Sequence, residues 1–198
     1  MKETRQSILQ KAFLVFLEKG YHGTSITDIQ NELEIGRATL YHHFTNKEDL
    51  FTSVINEVYM AMGEQVKAED TEDMTISELI KHLEKKLYTE VNWLKNLEGK
   101  KIGMTSFFML SFEALRMNPG YLEISEVSHG QTVKIWEKAI ENSIARGEVK
   151  EDIDITSVAK LFIHVKHGIG VLSTIHDLEQ SVKETREGYA AIYNLIKK

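Results

Sequence analysis

The chain has no cysteine, one proline and two tryptophans in 198 residues. Missing thiols exclude disulfide bonds, thiolate metal sites and a cysteine nucleophile, and they fit a reducing compartment. With Pro119 the single proline and little β-branched alternation, few residues interrupt helices or mark strands, so an all-α fold is expected. Long apolar runs are also missing. The longest near the start, Ala12 to Leu17, is too short for the hydrophobic part of a signal peptide or for a membrane span. A cytoplasmic location without a membrane partner is therefore expected. Nor is there a general excess of positive charge: 24 Lys and Arg stand against 30 Asp and Glu, a net charge of −6. Any polyanion must then be met by a local face of the molecule rather than by its overall charge.

What is present is concentrated between Thr24 and Lys47, TSITDIQNELEIGRATLYHHFTNK. Ile26, Ile29 and Leu33 recur at helical intervals behind Ser25, a capping residue with an acid, Asp28, three positions later. The pattern stops at Glu34-Ile35-Gly36 and resumes as Arg37-Ala38-Thr39-Leu40-Tyr41-His42-His43-Phe44, a second helix under three turns long whose inward residues are Leu40 and Phe44. Asn46, with Asp49 at its third position, starts another helix, marked by Leu50, Val54, Val58 and Met62.

The outer face of the short helix suits a major groove. Arg37 carries a fork that matches guanine edges or phosphates, Thr39 and Tyr41 offer hydroxyls, and Ala38 lets the backbone approach and can touch a thymine methyl. Lys47, in the first turn of the following helix, adds a cation for a phosphate. The first 50 residues hold six basic and seven acidic side chains, yet the segment from Arg37 to Lys47 has two cations and no acid, and Lys2 and Arg5 open the first helix. Few phosphate contacts per head are expected, hence a shallow salt dependence.

Ile8, Ala12, Phe13 and Phe16, then Gly20-Tyr21, Gly23-Thr24-Ser25, Thr39 to Phe44 and Asn46-Lys47-Glu48-Asp49-Leu50 occur in an order and spacing that resembles the DNA-binding head of the TetR family of bacterial transcriptional regulators. The resemblance implies DNA contacts at Ser25, Thr27, Arg37, Ala38, Thr39, Tyr41, His42, His43 and Lys47. It also implies a larger helical domain that binds an effector and dimerises. Two residues depart from the family pattern: Glu34 stands where a glycine is usual in the turn, and Gln30 where a small alanine is usual. A non-glycine residue in a left-handed turn costs about 1 kcal/mol, so strain is expected at Glu34.

The reading divides the chain into a head, residues 1–47, and a helical effector-binding and dimerisation domain, residues 48–198, connected by a helix over 47–66. Residues 68–73 read as an acidic loop, and Ile76 to Leu94 as an amphipathic helix ending near Gly99. Residues 102–117 are apolar nearly all round, which predicts a central helix lining a ligand cavity. Met104, Phe107, Phe108 and Phe112 on it, with Tyr59 and Trp136, form the candidate site for a small apolar or aromatic effector, although each also reads as an ordinary core residue. Beyond Asn118-Pro119-Gly120, helices are expected from about Tyr121 and Thr132. Val158, Leu161, Val165, Gly168, Leu172 and Ile175 form a seam at alternating three- and four-residue steps. This predicts a homodimer through the last two helices, about 155–176 and 181–197, with Gly168 and Gly170 permitting close approach.

His164 and His167 share a helical face, but no carboxylate pair completes a metal site around them. Glu113 and Arg116 read as an ordinary helical pair. No Ser-His-Asp order, phosphate loop or HExxH pattern emerges, so neither an enzyme nor a cofactor is expected. The expected function is a homodimeric repressor on a pseudo-palindromic operator, released by its effector. The competing reading is a helical small-molecule or partner sensor without specific DNA binding.

Overall fold

The computed structural model describes residues 4–59, 68–95, 102–118, 120–172 and 178–198. Among the described residues it forms ten α-helices and no strand: α1 Arg5–Gly23, α2 Ile26–Leu33, α3 Arg37–His43, α4 Lys47–Val54, α5 Ala68–Thr71, α6 Ile76–Lys95, α7 Met104–Met117, α8 Tyr121–Ala145, α9 Ile155–Leu172 and α10 Leu178–Ile196. They pack into two compact units. The first comprises residues 1–65, 100–102 and 106–125, and the second the remainder. This division follows packing rather than motif, and it gives the first unit most of α7.

In the first unit α1 is capped by Thr4, whose side chain accepts the Ser7 N–H while the Ser7 hydroxyl accepts the Thr4 N–H. Ile8, Leu9, Ala12, Phe13, Val15, Phe16 and Leu17 bury its inner side. Gly20 breaks the helix at φ 69°, ψ 170°, a conformation open essentially to glycine alone. Leu33, Leu40, Phe44, Leu50, Phe51, Val54 and Ile55 join the same core, together with Leu110 and Ala114 of α7 and Tyr121. After Val54 the chain widens into one π-helical turn, Ile55–Tyr59. The remainder of the connecting helix expected over 47–66 lies outside the described residues.

The expectation of a fully central α7 needs correction. Leu110 and Ala114 are buried, but Met109 is 54% exposed, Phe112 57% and Leu115 44%. The burial of α7 thus falls on the side of Leu110 and Ala114. Two boundaries also differ: the acidic stretch read as a loop forms a single helical turn at Ala68–Thr71, and the two helices expected from Tyr121 and Thr132 are one continuous α8.

The core of the second unit contains three packed aromatics. Trp136 lies face to face with Phe162 at 4.2 Å and 4°, and Tyr189 meets both edge-on. Gly188 permits the close approach of α9 and α10 within the protomer: a Cβ on it would lie 2.5 Å from Val165 Cγ1, whereas nothing lies within 4 Å of one on Gly168. Gly147 (φ 73°) ends α8, with its N–H donating to Ile144 O and that of Glu148 to Ser143 O. Val149 and Lys197 then pair in an isolated antiparallel bridge that ties the end of α10 to the loop after α8.

Candidate nucleic-acid interface

The turn that presents α3 is built by local bonds. Ser25 caps α2, accepting the Asp28 N–H at 3.0 Å, and the Asp28 carboxylate accepts the Ser25 N–H at 2.8 Å as well as its hydroxyl. Lys19 Nζ bonds the same carboxylate at 2.6 Å, fixing α2 to α1. These donors, Lys19 first and Ser25 next, hold Asp28 well below the usual carboxylate range. At the other end Glu34 adopts the expected left-handed conformation, φ 54° and ψ 37°. Its N–H donates to Asn31 O and that of Ile35 to Gln30 O, a Schellman ending in which glycine is the usual occupant. Gly36 then caps α3 without a side-chain bond.

On α3, Leu40 is fully buried, Phe44 beyond its end is buried too, and Arg37, Ala38, Tyr41 and His42 are exposed. Thr39 and His43 are half-buried. The Arg37 guanidinium lies 5.3 Å from the centre of the Tyr41 ring, a stacking that pre-orients its donors. Thr27 is exposed on α2. Ser25 is exposed as well, but its hydroxyl and N–H are already bonded to Asp28. Lys47 has two of its three donors bonded inside the head, to Tyr21 O and Thr24 O at 2.9 Å each, and sits 4.0 Å from the centre of the Tyr21 ring.

Arg5, expected to add to a cationic face, instead chelates Glu57 of the π turn at 2.5 and 2.6 Å and covers the Phe44 ring. Arg5, Lys19 and Lys47 are thus bonded within the head. Arg37 remains as the exposed cation of α3.

Of the candidate effector residues, Tyr59 and Phe107 pack against each other. Tyr59 packs with Phe13, Phe107 and Tyr121 in the first unit, its hydroxyl bonded to Ser111 Oγ at 2.5 Å, and burial pushes its pKa up to about 12. Trp136 is consumed in the aromatic stack of the second core. Phe108 is half-buried and Phe112 exposed, while the Met104 side chain is outside the described residues. Of the histidines, burial chiefly, then Lys166, depresses the pKa of His167; His176 lies outside the described residues.

Glu113 also departs from expectation. Rather than pairing with Arg116, its carboxylate reaches the head and accepts the Tyr21 N–H at 2.7 Å. Sequence reasoning missed it because its partner is 92 residues away.

A capped tri-helical head with an exposed, acid-free reading helix is the geometry of the helix-turn-helix transcriptional regulators. Residues 8–54 match the family model described as bacterial regulatory proteins, tetR family. Over 55 residues it is 34% identical to the biofilm operon icaADBC HTH-type negative transcriptional regulator IcaR of Staphylococcus epidermidis, covering 28% of this chain and 30% of that protein. The chain therefore spans less than a third of that relative's length. The HTH-type transcriptional regulator UidR of Escherichia coli K12 is 23% identical over 167 residues, covering 84% and 79% of the two chains. The structure of SmeT, the repressor of the Stenotrophomonas maltophilia multidrug efflux pump SmeDEF, shares the fold with a TM-score of 0.69 at 17% identity, over 100% of this chain and 92% of that one.

Proposed function

We propose that the protein is a ligand-responsive transcriptional repressor that binds a pseudo-palindromic operator as a homodimer. One observation carries the reading: on α3 the apolar residue Leu40 is buried while Arg37, Ala38 and Tyr41 face outward with no acid between Arg37 and Lys47. Arg37, steadied by Tyr41, reads a guanine edge. Ala38 sits against a thymine methyl, and Thr39, His43 and the first-turn N–H groups of α4 meet phosphates. Ser25, Thr27 and His42 flank this surface.

Support for dimerisation comes from α9. Its 18 residues have a mean hydropathy of 1.2, yet only 22% of them are buried in the protomer. Leu161, Val171 and Leu172 are each 51% exposed, and Leu195 of α10 is 74% exposed. A twofold partner covering these residues places two reading helices about one helical turn of DNA, ~34–36 Å, or a multiple of it apart. Release by a small molecule follows from α7, which has apolar residues open on one side and touches the head on the other. An effector that engages the open side and repositions α7 binds antagonistically with the operator, with a coupling of about 1–3 kcal/mol in both directions.

Selection of duplexes from a random library tests the reading. The wild-type chain is expected to enrich a palindrome, and Arg37→Ala or Tyr41→Ala to lose it while keeping the dimer. Failure to enrich any duplex would instead favour a helical sensor without DNA affinity, a reading that the exposed acid at Glu34 motivates.

A further inference from the structure

The head is pinned to α7 by a chain of bonds that ends beside its DNA-reading pair. Because Gly20 leaves the helical conformation, the Tyr21 N–H leaves the helical ladder of α1 and takes Glu113 Oε2 as its acceptor at 2.7 Å. The second carboxylate oxygen lies 3.1 Å from the point where a Cβ on Gly20 would stand, so the absence of a side chain there gives the carboxylate its room. On the other side of the same residue, the Tyr21 carbonyl accepts from Lys47 Nζ at 2.9 Å. That ammonium also bonds Thr24 O at 2.9 Å, and the Thr24 hydroxyl closes the turn onto Gly20 O at 2.7 Å. The next residue is Ser25, the cap of α2. Tyr21 is therefore gripped by an anion at its N–H and a cation at its carbonyl, and the gripped turn sets where α2 begins.

We propose that Glu113 is a positioning residue for DNA recognition: from α7 it fixes the Gly20–Thr24 turn and thereby the placement of α2 and α3 against α4. The inference rests on the regulator reading and adds to it a named acceptor. Glu113 touches no DNA in this scheme and acts through the Tyr21 peptide. Its loss frees the turn, so that DNA binding must first order it, and specific affinity falls while the two hydrophobic cores remain intact.

The test compares full-length wild type, Glu113→Ala and Glu113→Gln by amide hydrogen exchange at Tyr21 and by affinity, at fixed salt, for the duplex that the wild type selects. Loss of a charge-assisted bond predicts exchange about tenfold faster and duplex binding about tenfold weaker in Glu113→Ala. Glu113→Gln keeps an acceptor oxygen and should stay within about threefold of wild type on both measures. Dimer mass should be alike in all three, and their midpoints of thermal unfolding should lie within about 6 °C of one another. Should Glu113→Ala fail to fold, Glu113→Asp, which withdraws the carboxylate by one methylene, takes its place with the same expectations. Unchanged Tyr21 protection overturns the proposal, as does lost protection with unchanged duplex affinity. If the wild type selects no duplex, the regulator reading itself falls and the positioning role falls with it, while the exchange comparison still reports on the bond.

Discussion

Replacing Glu34 by glycine should make the head more stable, and the structure supplies the size of the gain. Glu34 sits at φ 54°, ψ 37°, a region that costs an L-residue with a side chain roughly 1–2 kcal/mol and a glycine almost nothing. Part of that gain is offset by the greater freedom of glycine in the unfolded chain, about 0.4–1 kcal/mol, leaving a net stabilisation on the order of 1 kcal/mol. Such a change alters the opening equilibrium about fivefold. Glu34 is exposed, so no buried contact is lost. The charge of the glutamate complicates a single comparison, so Glu34→Ala serves as reference: it removes the charge and keeps the left-handed strain. Amide exchange at Ile29 and Leu33, both buried in α2, reads the local stability without requiring the two units to unfold together. Exchange about fivefold slower in Glu34→Gly than in Glu34→Ala is the expected result. Equal rates in the two variants would refute the claim that the turn stores strain.

Gly20→Ala should act in the opposite direction: at φ 69°, ψ 170° a side chain costs about 1–3 kcal/mol, visible as a lower midpoint of thermal unfolding, and an unchanged midpoint would contradict the kink. Leu161→Glu with Leu172→Glu should give a monomer by sedimentation equilibrium while changing protomer stability by only about 0.5 kcal/mol, because both side chains are 51% exposed in the protomer. A dimer that persists in this variant would place the interface elsewhere. Tyr59 gives an alkaline limb. Its pKa is raised from 10.0 to about 12 in the fold, so the folded state holds its proton longer than the unfolded chain; the associated stability is complete below pH 10 and is lost as the pH rises towards about 12. Tyr59→Phe should therefore show a shallower loss of denaturant stability across that interval, and an identical slope would argue against burial of the phenol.

Much of the head could be read directly from the residues because its determinants are local. Ser25 with Asp28, Asn46 with Asp49 and the break at Glu34–Gly36 act over three or four positions, and each appears in the structure where the spacing placed it. Longer-range features were less legible. Apolar residues all round α7 state that the helix favours burial, not which sides receive a neighbour, and Met109, Phe112 and Leu115 stand open. Trp136 reads both as a cavity wall and, more readily, as an ordinary core residue, and Phe162 stacked on it with Tyr189 edge-on decides for the core. A glycine inside α10 gives no sign in sequence that Val165 lies against it. Cations counted toward the DNA face, Arg5 above all, are bonded instead to partners up to 52 residues away.

Leu110, Ala114 and Tyr121 belong to the same apolar cluster as Ile8, Phe16 and Leu50. A hybrid regulator made by grafting the first 47 residues onto a foreign body would therefore inherit a hydrophobic wall cut for other side chains. A graft that carries residues 106–125 along as well should preserve the head's fit, so the exchangeable module is discontinuous along the chain.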